Sequence, residues 1–135
     1  MKNVFLNAGL SSLAEQMFNK EISHLLSKYG FMVYMPQEVL PPGISISAAE
    51  IYRANLKAIQ DADLLISILD KPGLGVVYEL GYALANSKKV IMFRSDVQDY
   101  LGKIIEGVWE ITDSQYKARD LLELEKILQR EGGFK

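Results

Sequence analysis

Glu79 follows a glycine-bearing loop, Asp70-Lys71-Pro72-Gly73-Leu74-Gly75, and precedes Leu80-Gly81-Tyr82-Ala83. Glycines let a backbone approach a ligand closely. The spacing places Glu79 within about the first turn of the helix that follows the loop. A helix N-terminus favours an ionised carboxylate by roughly 0.3–1 kcal/mol at a surface, and an ionised carboxylate is a nucleophile. Glutamates that only complement the helix dipole occupy the same position, so position alone leaves both readings open. Gly81, Ala83 and Ala85 are small, as suits a helix packed tightly on a sheet beside a pocket. Asp70, at the head of the loop, reads either as an acid or as an Asx-turn residue.

Composition closes off other chemistries. The 135 residues include no cysteine and one histidine, His24. That excludes a disulfide framework, a thiolate metal site and a cysteine nucleophile. It also argues against a His-based zinc site and a Ser-His-Asp triad. Fifteen basic and seventeen acidic residues give a net charge of −2, and neither half of the chain is a charged arm. A nucleic-acid binder working by bulk electrostatics and a polybasic membrane surface are both disfavoured. No apolar run is long enough to span a bilayer. Met1-Lys2-Asn3 runs into a short apolar stretch without a signal-peptide layout, so the expected compartment is the cytoplasm.

The elements that must position Glu79 follow from periodicity. Val4-Phe5-Leu6 reads as a buried strand. Ser12 and Glu15 form a capping-box pattern ahead of Ala14, Phe18, Ile22, Leu25 and Tyr29 at helical spacing, with Gly30 as the stop. Phe31 to Met35 reads as a second strand, and residues 36–46, with Pro41-Pro42-Gly43, as a loop. Ser47 and Glu50 make a second capping box before a helix carrying Ile51, Ala54, Ala58 and Ile59. Leu64 to Leu69 is a nearly continuous apolar run, as in a strand covered on both faces of a parallel sheet. A helix from about Val76 to Asn86 and a strand from Lys89 to Phe93 follow. Then come a short helix around Tyr100 to Ile105 and a short fifth strand at Val108 to Ile111. A terminal helix is striped by Leu121, Leu124, Ile127 and Leu128 and ended by Gly132-Gly133.

This alternation predicts an α/β fold. It is a single doubly wound, flavodoxin-like or Rossmann-like parallel sheet of about five strands with helices on both faces. Residues 1–135 are expected to form one domain. In such sheets ligands bind outside the carboxyl ends of the strands, near the switch point. Loops at residues 7–12, 36–47 and 70–75 qualify. The first lacks both the GxGxxG and the P-loop pattern, which argues against a dinucleotide-binding domain and an NTPase. A response-regulator receiver would want acidic residues after the first strand, where the chain has Asn7.

The stretch GLGVVYELGYALANSKKVIMF resembles the signature of the nucleoside 2-deoxyribosyltransferase family. Upstream, VFLNAGLSSLAEQMFN, YMPQE and ANLKAIQDADLLISILD resemble successive segments of that family in the same order. The resemblance spans about residues 3 to 94 and extends to the related 2′-deoxynucleoside 5′-phosphate N-hydrolases. It implies that Glu79 attacks the anomeric carbon of a deoxyribose and displaces the nucleobase, as in retaining glycosidases. A second base as acceptor gives transfer; water gives hydrolysis. A catalytically inactive nucleotide-binding module of the same fold is the third reading. The implied ligands are a small-molecule nucleoside and nucleobase, with no cofactor and no metal. The implied assembly is a homo-oligomer with shared active sites.

The same resemblance implies Phe5, Asn7, Gly9, Asn55, Gly73, Gly75 and Tyr82 as substrate-binding positions. Helical spacing puts Tyr82, rather than Tyr78, on the face of Glu79. Asn55 stands where the family places Asp or Asn; an amide cannot transfer a proton. Gly73 stands where many transferases carry Asp and the phosphate hydrolases Ser, which leaves Asp70 as the nearest substitute acid. Phe5 replaces a frequent Tyr and removes a hydroxyl. Gly102 lies in the stretch where the phosphate hydrolase uses a serine from a neighbouring subunit. Asp63 reads as a structural cap, and Arg94 and Lys103 as solvated charges near the site.

Overall fold

A computed structural model describes residues 2–39 and 45–131. Five strands alternate with helices: β1 Asn3–Asn7, α1 Leu13–Lys28, β2 Met32–Tyr34, α2 Pro36–Val39, α3 Ala48–Asp61, β3 Leu64–Ile68, α4 Leu74–Ala85, β4 Val90–Phe93, α5 Lys103–Ile111, β5 Lys117–Ala118 and α6 Leu121–Glu131. All strand pairs are parallel, and the order is β2-β1-β3-β4-β5. That is the expected doubly wound sheet, with its switch point between β1 and β3. Pro41-Pro42-Gly43 and Gly132-Gly133 lie outside the described residues.

Side chains alternate across the sheet and divide the core in two. Val4, Leu6, Ile66, Ile91 and Phe93 join Ile22 and Leu26 of α1 and Leu124 and Leu128 of α6. Phe5, Leu65, Val90 and Met92 join Ile59 of α3, Leu80 of α4 and Trp109 of α5. The second face carries Glu79. Ser12 caps α1 with a complete capping box: its side chain accepts from the Glu15 N–H and the Glu15 side chain accepts from the Ser12 N–H. At α3 the Ser47 side chain accepts from the Glu50 N–H, while its hydroxyl donates to the Glu50 carboxylate.

The C-terminal third differs from the sequence reading. Val108 to Ile111 is the end of α5, not a strand; Val108 and Trp109 pack that helix toward the second core. The fifth strand is the two-residue β5, reached through a 3₁₀ turn at Ser114–Tyr116. Gly102 caps α5 at φ +89°, a left-handed conformation that favours glycine.

Candidate active site

Gly73 is the N-cap of α4, and the helix starts at Leu74. It therefore begins earlier than periodicity suggests, and Glu79 falls in its second turn. No acidic side chain occupies the first turn, so the helix N-terminus does not hold Glu79 ionised as expected. Burial instead pushes its carboxyl above the usual carboxylate range, and a hydrogen bond from Asn55 pulls it back down. The charge is made available by a single donor rather than by the helix dipole.

That donor comes from α3, which packs beside α4 and runs in the same direction. Three polar pairs join the two helices in matching order. The Tyr52 and Tyr78 hydroxyls meet at 3.0 Å. Asn55 Nδ2 donates to Glu79 Oε2 at 3.0 Å. Gln60 Nε2 donates to the Tyr82 hydroxyl at 2.6 Å. Among the described residues Glu79 Oε1 makes no hydrogen bond. One carboxylate oxygen is thus oriented and the other left free. A cavity of about 390 Å³ opens over the pair, lined by Ala48, Ile51, Tyr52, Asn55, Gly75, Tyr78 and Glu79. Tyr78, not Tyr82, shares this pocket with Glu79, because Tyr82 is turned toward Gln60.

Phe5 is fully buried. It pairs in register with Tyr34 on β2, and the rings stack at 5.4 Å and 14°. The Tyr34 hydroxyl donates to Asn55 Oδ1 at 3.5 Å, a long bond. Burial raises the Tyr34 pKa first, and the nearby Glu79 charge adds to it. The hydroxyl that Phe5 lacks is thus supplied from the neighbouring strand. Asn7 is also buried: its Nδ2 donates to Ser67 Oγ and to the Val76 carbonyl, both at 2.9 Å. Its amide nitrogen pins α4 to the sheet.

Asp70 and Gly73 line a second cavity of about 510 Å³, together with Gly9, Ser11, Ser12, Glu15, Lys71, Ser95 and Asp96. The Asp70 carboxylate accepts from the Ser95 N–H at 2.8 Å, the Ser95 hydroxyl at 2.6 Å and the Asp96 N–H at 3.2 Å. It ties the ends of β3 and β4 together. The structure does not bring it to Glu79, which lies beyond the Gly73–Gly75 turn in the other cavity. Among the described residues no group of three or more His, Cys, Asp or Glu is gathered to hold a metal. No described helix is long and apolar enough to cross a membrane.

Tyr52 and Tyr78 line the pocket and Tyr34 bonds to Asn55, and the sequence alone selects none of the three. The signal was present for Tyr52, one turn before Asn55. Arg94 departs furthest from its expectation: it is 1% exposed. It donates to both Glu106 oxygens, at 3.1 and 2.7 Å, and to the Asp99 carbonyl at 2.9 Å. Its guanidinium lies 5.4 Å from the Trp109 ring centroid. Arg94 holds the Glu106 carboxyl below the usual range, and the Leu101 N–H adds to the effect. Asp63 accepts from the Asn3 N–H at 2.8 Å, at the start of β1.

Comparison with known proteins gives this geometry a family. The model described as nucleoside 2-deoxyribosyltransferase matches residues 4–126. The 5-hydroxymethyl-dUMP N-hydrolase of Homo sapiens is 32% identical over 77 residues, which are 50% of this chain and 44% of that protein. The chain therefore spans less than half the length of this relative. A 2-deoxyribosyltransferase structure from Bacillus psychrosaccharolyticus superposes with a TM-score of 0.72 at 16% identity, covering 91% of this chain and 90% of that one. A CMP N-glycosidase structure from Clostridium botulinum superposes with a TM-score of 0.64 at 22% identity, covering 96% and 98%. The two structures share the fold, and the match over residues 4–126 shows that the chain belongs to the nucleoside 2-deoxyribosyltransferase family.

Proposed function

We propose that this chain is a nucleoside 2-deoxyribosyltransferase in which Glu79 is the nucleophile. The observation that carries the reading is the state of its carboxylate: Oε2 is fixed by Asn55 and Oε1 is free. In the first step a Glu79 oxygen bonds to C1′ of the deoxyribose and the N-glycosidic bond breaks. The bonding pair leaves with the nucleobase, which takes up a proton from solvent at the open pocket. In the second step a nitrogen of another base attacks C1′, the ester to Glu79 breaks and that base loses its proton. Holding the sugar covalently splits one difficult displacement into two easier ones.

The walls of the pocket suit a nucleobase, whether departing or incoming. Ile51, Tyr52 and Tyr78 give a planar base apolar and aromatic surface to rest on, and stacking on an aromatic contributes about 1–3 kcal/mol. Hydrolysis, with water as the acceptor, is the second reading, favoured by the similarity to the human N-hydrolase. Incubation with a deoxynucleoside and a second free base separates the two. A new deoxynucleoside supports transfer; free deoxyribose alone supports hydrolysis.

The reading carries further proposals. Residues 1–135 act as one catalytic domain, in the cytoplasm, without cofactor, nucleic acid or membrane. A second copy of the chain completes the open pocket mouth, where Tyr52 and Tyr78 are about half exposed. Sedimentation with and without nucleoside tests that assembly.

A further inference from the structure

We propose that Tyr34 is a positioning residue for Glu79: its hydroxyl holds the Asn55 amide in the orientation that presents an N–H to the Glu79 carboxylate. The proposal rests on the reading of Glu79 as the nucleophile. The groups stand in line across β2, α3 and α4. The Tyr34 hydroxyl donates to Asn55 Oδ1 at 3.5 Å, and Asn55 Nδ2 donates to Glu79 Oε2 at 3.0 Å. An amide carries its acceptor and its donors on opposite arms, and it turns over about the Cβ–Cγ bond at little cost in torsion. Turned over, Asn55 would set Oδ1 against a carboxylate oxygen, acceptor to acceptor. Only a protonated Glu79, donating to Oδ1, relieves that contact, so the reversed amide stabilises the neutral acid. A donor on the far side of the amide removes the choice.

Tyr34 is itself fixed. Its ring stacks on Phe5, which is fully buried and opposite it in the β1–β2 register, and it packs against the second core. Burial raises its pKa above the ordinary tyrosine value, and the Glu79 charge raises it further. The hydroxyl therefore keeps its proton while Glu79 is ionised, and remains a donor. The bond to Asn55 is long for a hydroxyl donor, so its contribution is direction rather than strength. It polarises the amide and favours an N–H toward Glu79.

The surroundings of Glu79 leave this chain of bonds in control of its charge. Tyr52 on α3 and Tyr78 on α4 share its cavity, and their hydroxyls bond each other. Tyr82 on α4 is engaged by Gln60. From the sheet, Tyr34 is the titratable group that the Glu79 charge reaches. Among the described residues Glu79 is the only charged side chain lining the cavity, and no ion pair includes it. Burial and the Asn55 bond set its carboxyl, so the orientation of one amide decides whether burial is offset.

The test titrates the Glu79 carboxyl by carbon-13 NMR in the full-length protein without substrate, in the wild type and in Tyr34→Phe. Phe fills the same volume and keeps the ring against Phe5, so the fold is retained and only the donor is lost. The Glu79 midpoint rises by roughly half a pH unit in Tyr34→Phe. In base exchange between a deoxynucleoside and a second free base, kcat/KM falls by about threefold below the acid limb and is unchanged well above it, a pattern that a general loss of structure does not produce. In an Asn55→Ala background Tyr34→Phe leaves the midpoint where Asn55→Ala alone puts it, because the link is already cut. An unmoved midpoint in Tyr34→Phe, or an equal rise with and without Asn55, overturns the proposal. A midpoint that behaves as described while the acid limb stays in place sustains the positioning of the carboxylate and overturns Glu79 as the nucleophile.

Discussion

Asn55 on α3 and Glu79 on α4 stand 24 residues apart in sequence and are joined by a 3.0 Å hydrogen bond. The bond does two things at once. It fixes one carboxylate oxygen, leaving the other to react, and it offsets part of the burial that disfavours the charge. Glu79→Gln keeps the bond, since the amide oxygen still accepts from Asn55, but removes the nucleophile. Turnover falls by on the order of 10³-fold or more while nucleoside binding persists, and mass spectrometry of the variant with substrate shows no glycosylated protein. A variant turning over at near wild-type rate would end the covalent mechanism.

The same substitution changes stability in a predictable direction. The Glu79 pKa is raised in the folded state, so the folded protein disfavours its charge. The stability it contributes is complete below the unfolded-chain value of about 4.3 and is lost as pH rises through the folded value. Glu79→Gln removes that loss. Its thermal midpoint is higher than that of the wild type at pH 7, and the gain disappears below about pH 4. Equal midpoints at pH 7 would show that the carboxylate is better solvated than this geometry allows.

Glu79 must be ionised to attack, so the acid limb of kcat/KM follows its pKa and lies above the ordinary carboxylate range. Asn55→Ala deletes the hydrogen bond that lowers this pKa. The acid limb then moves to higher pH, and the rate at neutral pH falls by roughly 10- to 100-fold. Asp70→Asn leaves the acid limb in place, because Asp70 bonds Ser95 and Asp96 rather than the nucleophile. It destabilises the β3–β4 ends by about 1–2 kcal/mol, read by denaturant unfolding. This goes against Asp70 as the substitute acid; a large loss of rate in Asp70→Asn at unchanged stability would restore that role.

The parts legible in the sequence were those that a local pattern determines. The apolar run Leu64 to Leu69 marked the central strand, and Ser12 with Glu15 marked the start of α1. Glu79 stood out because glycines and small residues surround it. The site's long-range pairs were not legible. Tyr82 suits the face of Glu79 on a lone helix, yet α3 supplies Gln60 opposite Tyr82 and Asn55 opposite Glu79. Phe5 read as a lost hydroxyl because the cross-strand register that brings Tyr34 beside it is a property of the sheet. Val108 to Ile111 read as a strand because four apolar-rich residues do not discriminate strand from helix. The two-residue β5 is too short to leave a pattern at all.

Arg94 supplies the last prediction, and its burial is the reason. An arginine with 1% of its surface exposed is costly to desolvate, and here it is held by both oxygens of Glu106, the Asp99 carbonyl and the Trp109 ring. These contacts tie the end of β4 to α5 and to the connection between them, which carries Ser95 and Asp96. Arg94→Met fills similar volume but removes the partner of Glu106 and the tie to the Asp99 carbonyl, so unfolding free energy falls at pH 7. The Glu106 carboxyl is depressed by Arg94 in the folded state. The stability from that pairing is present above the unfolded carboxylate value and is lost as pH falls through the folded value. The wild type therefore loses stability on acidification faster than Arg94→Met, and the gap between them narrows as pH drops below about 4. Denaturant midpoints measured at pH 7 and at pH 3 check both statements; a gap that stays constant across that range would show that the ion pair contributes packing but no linked charge.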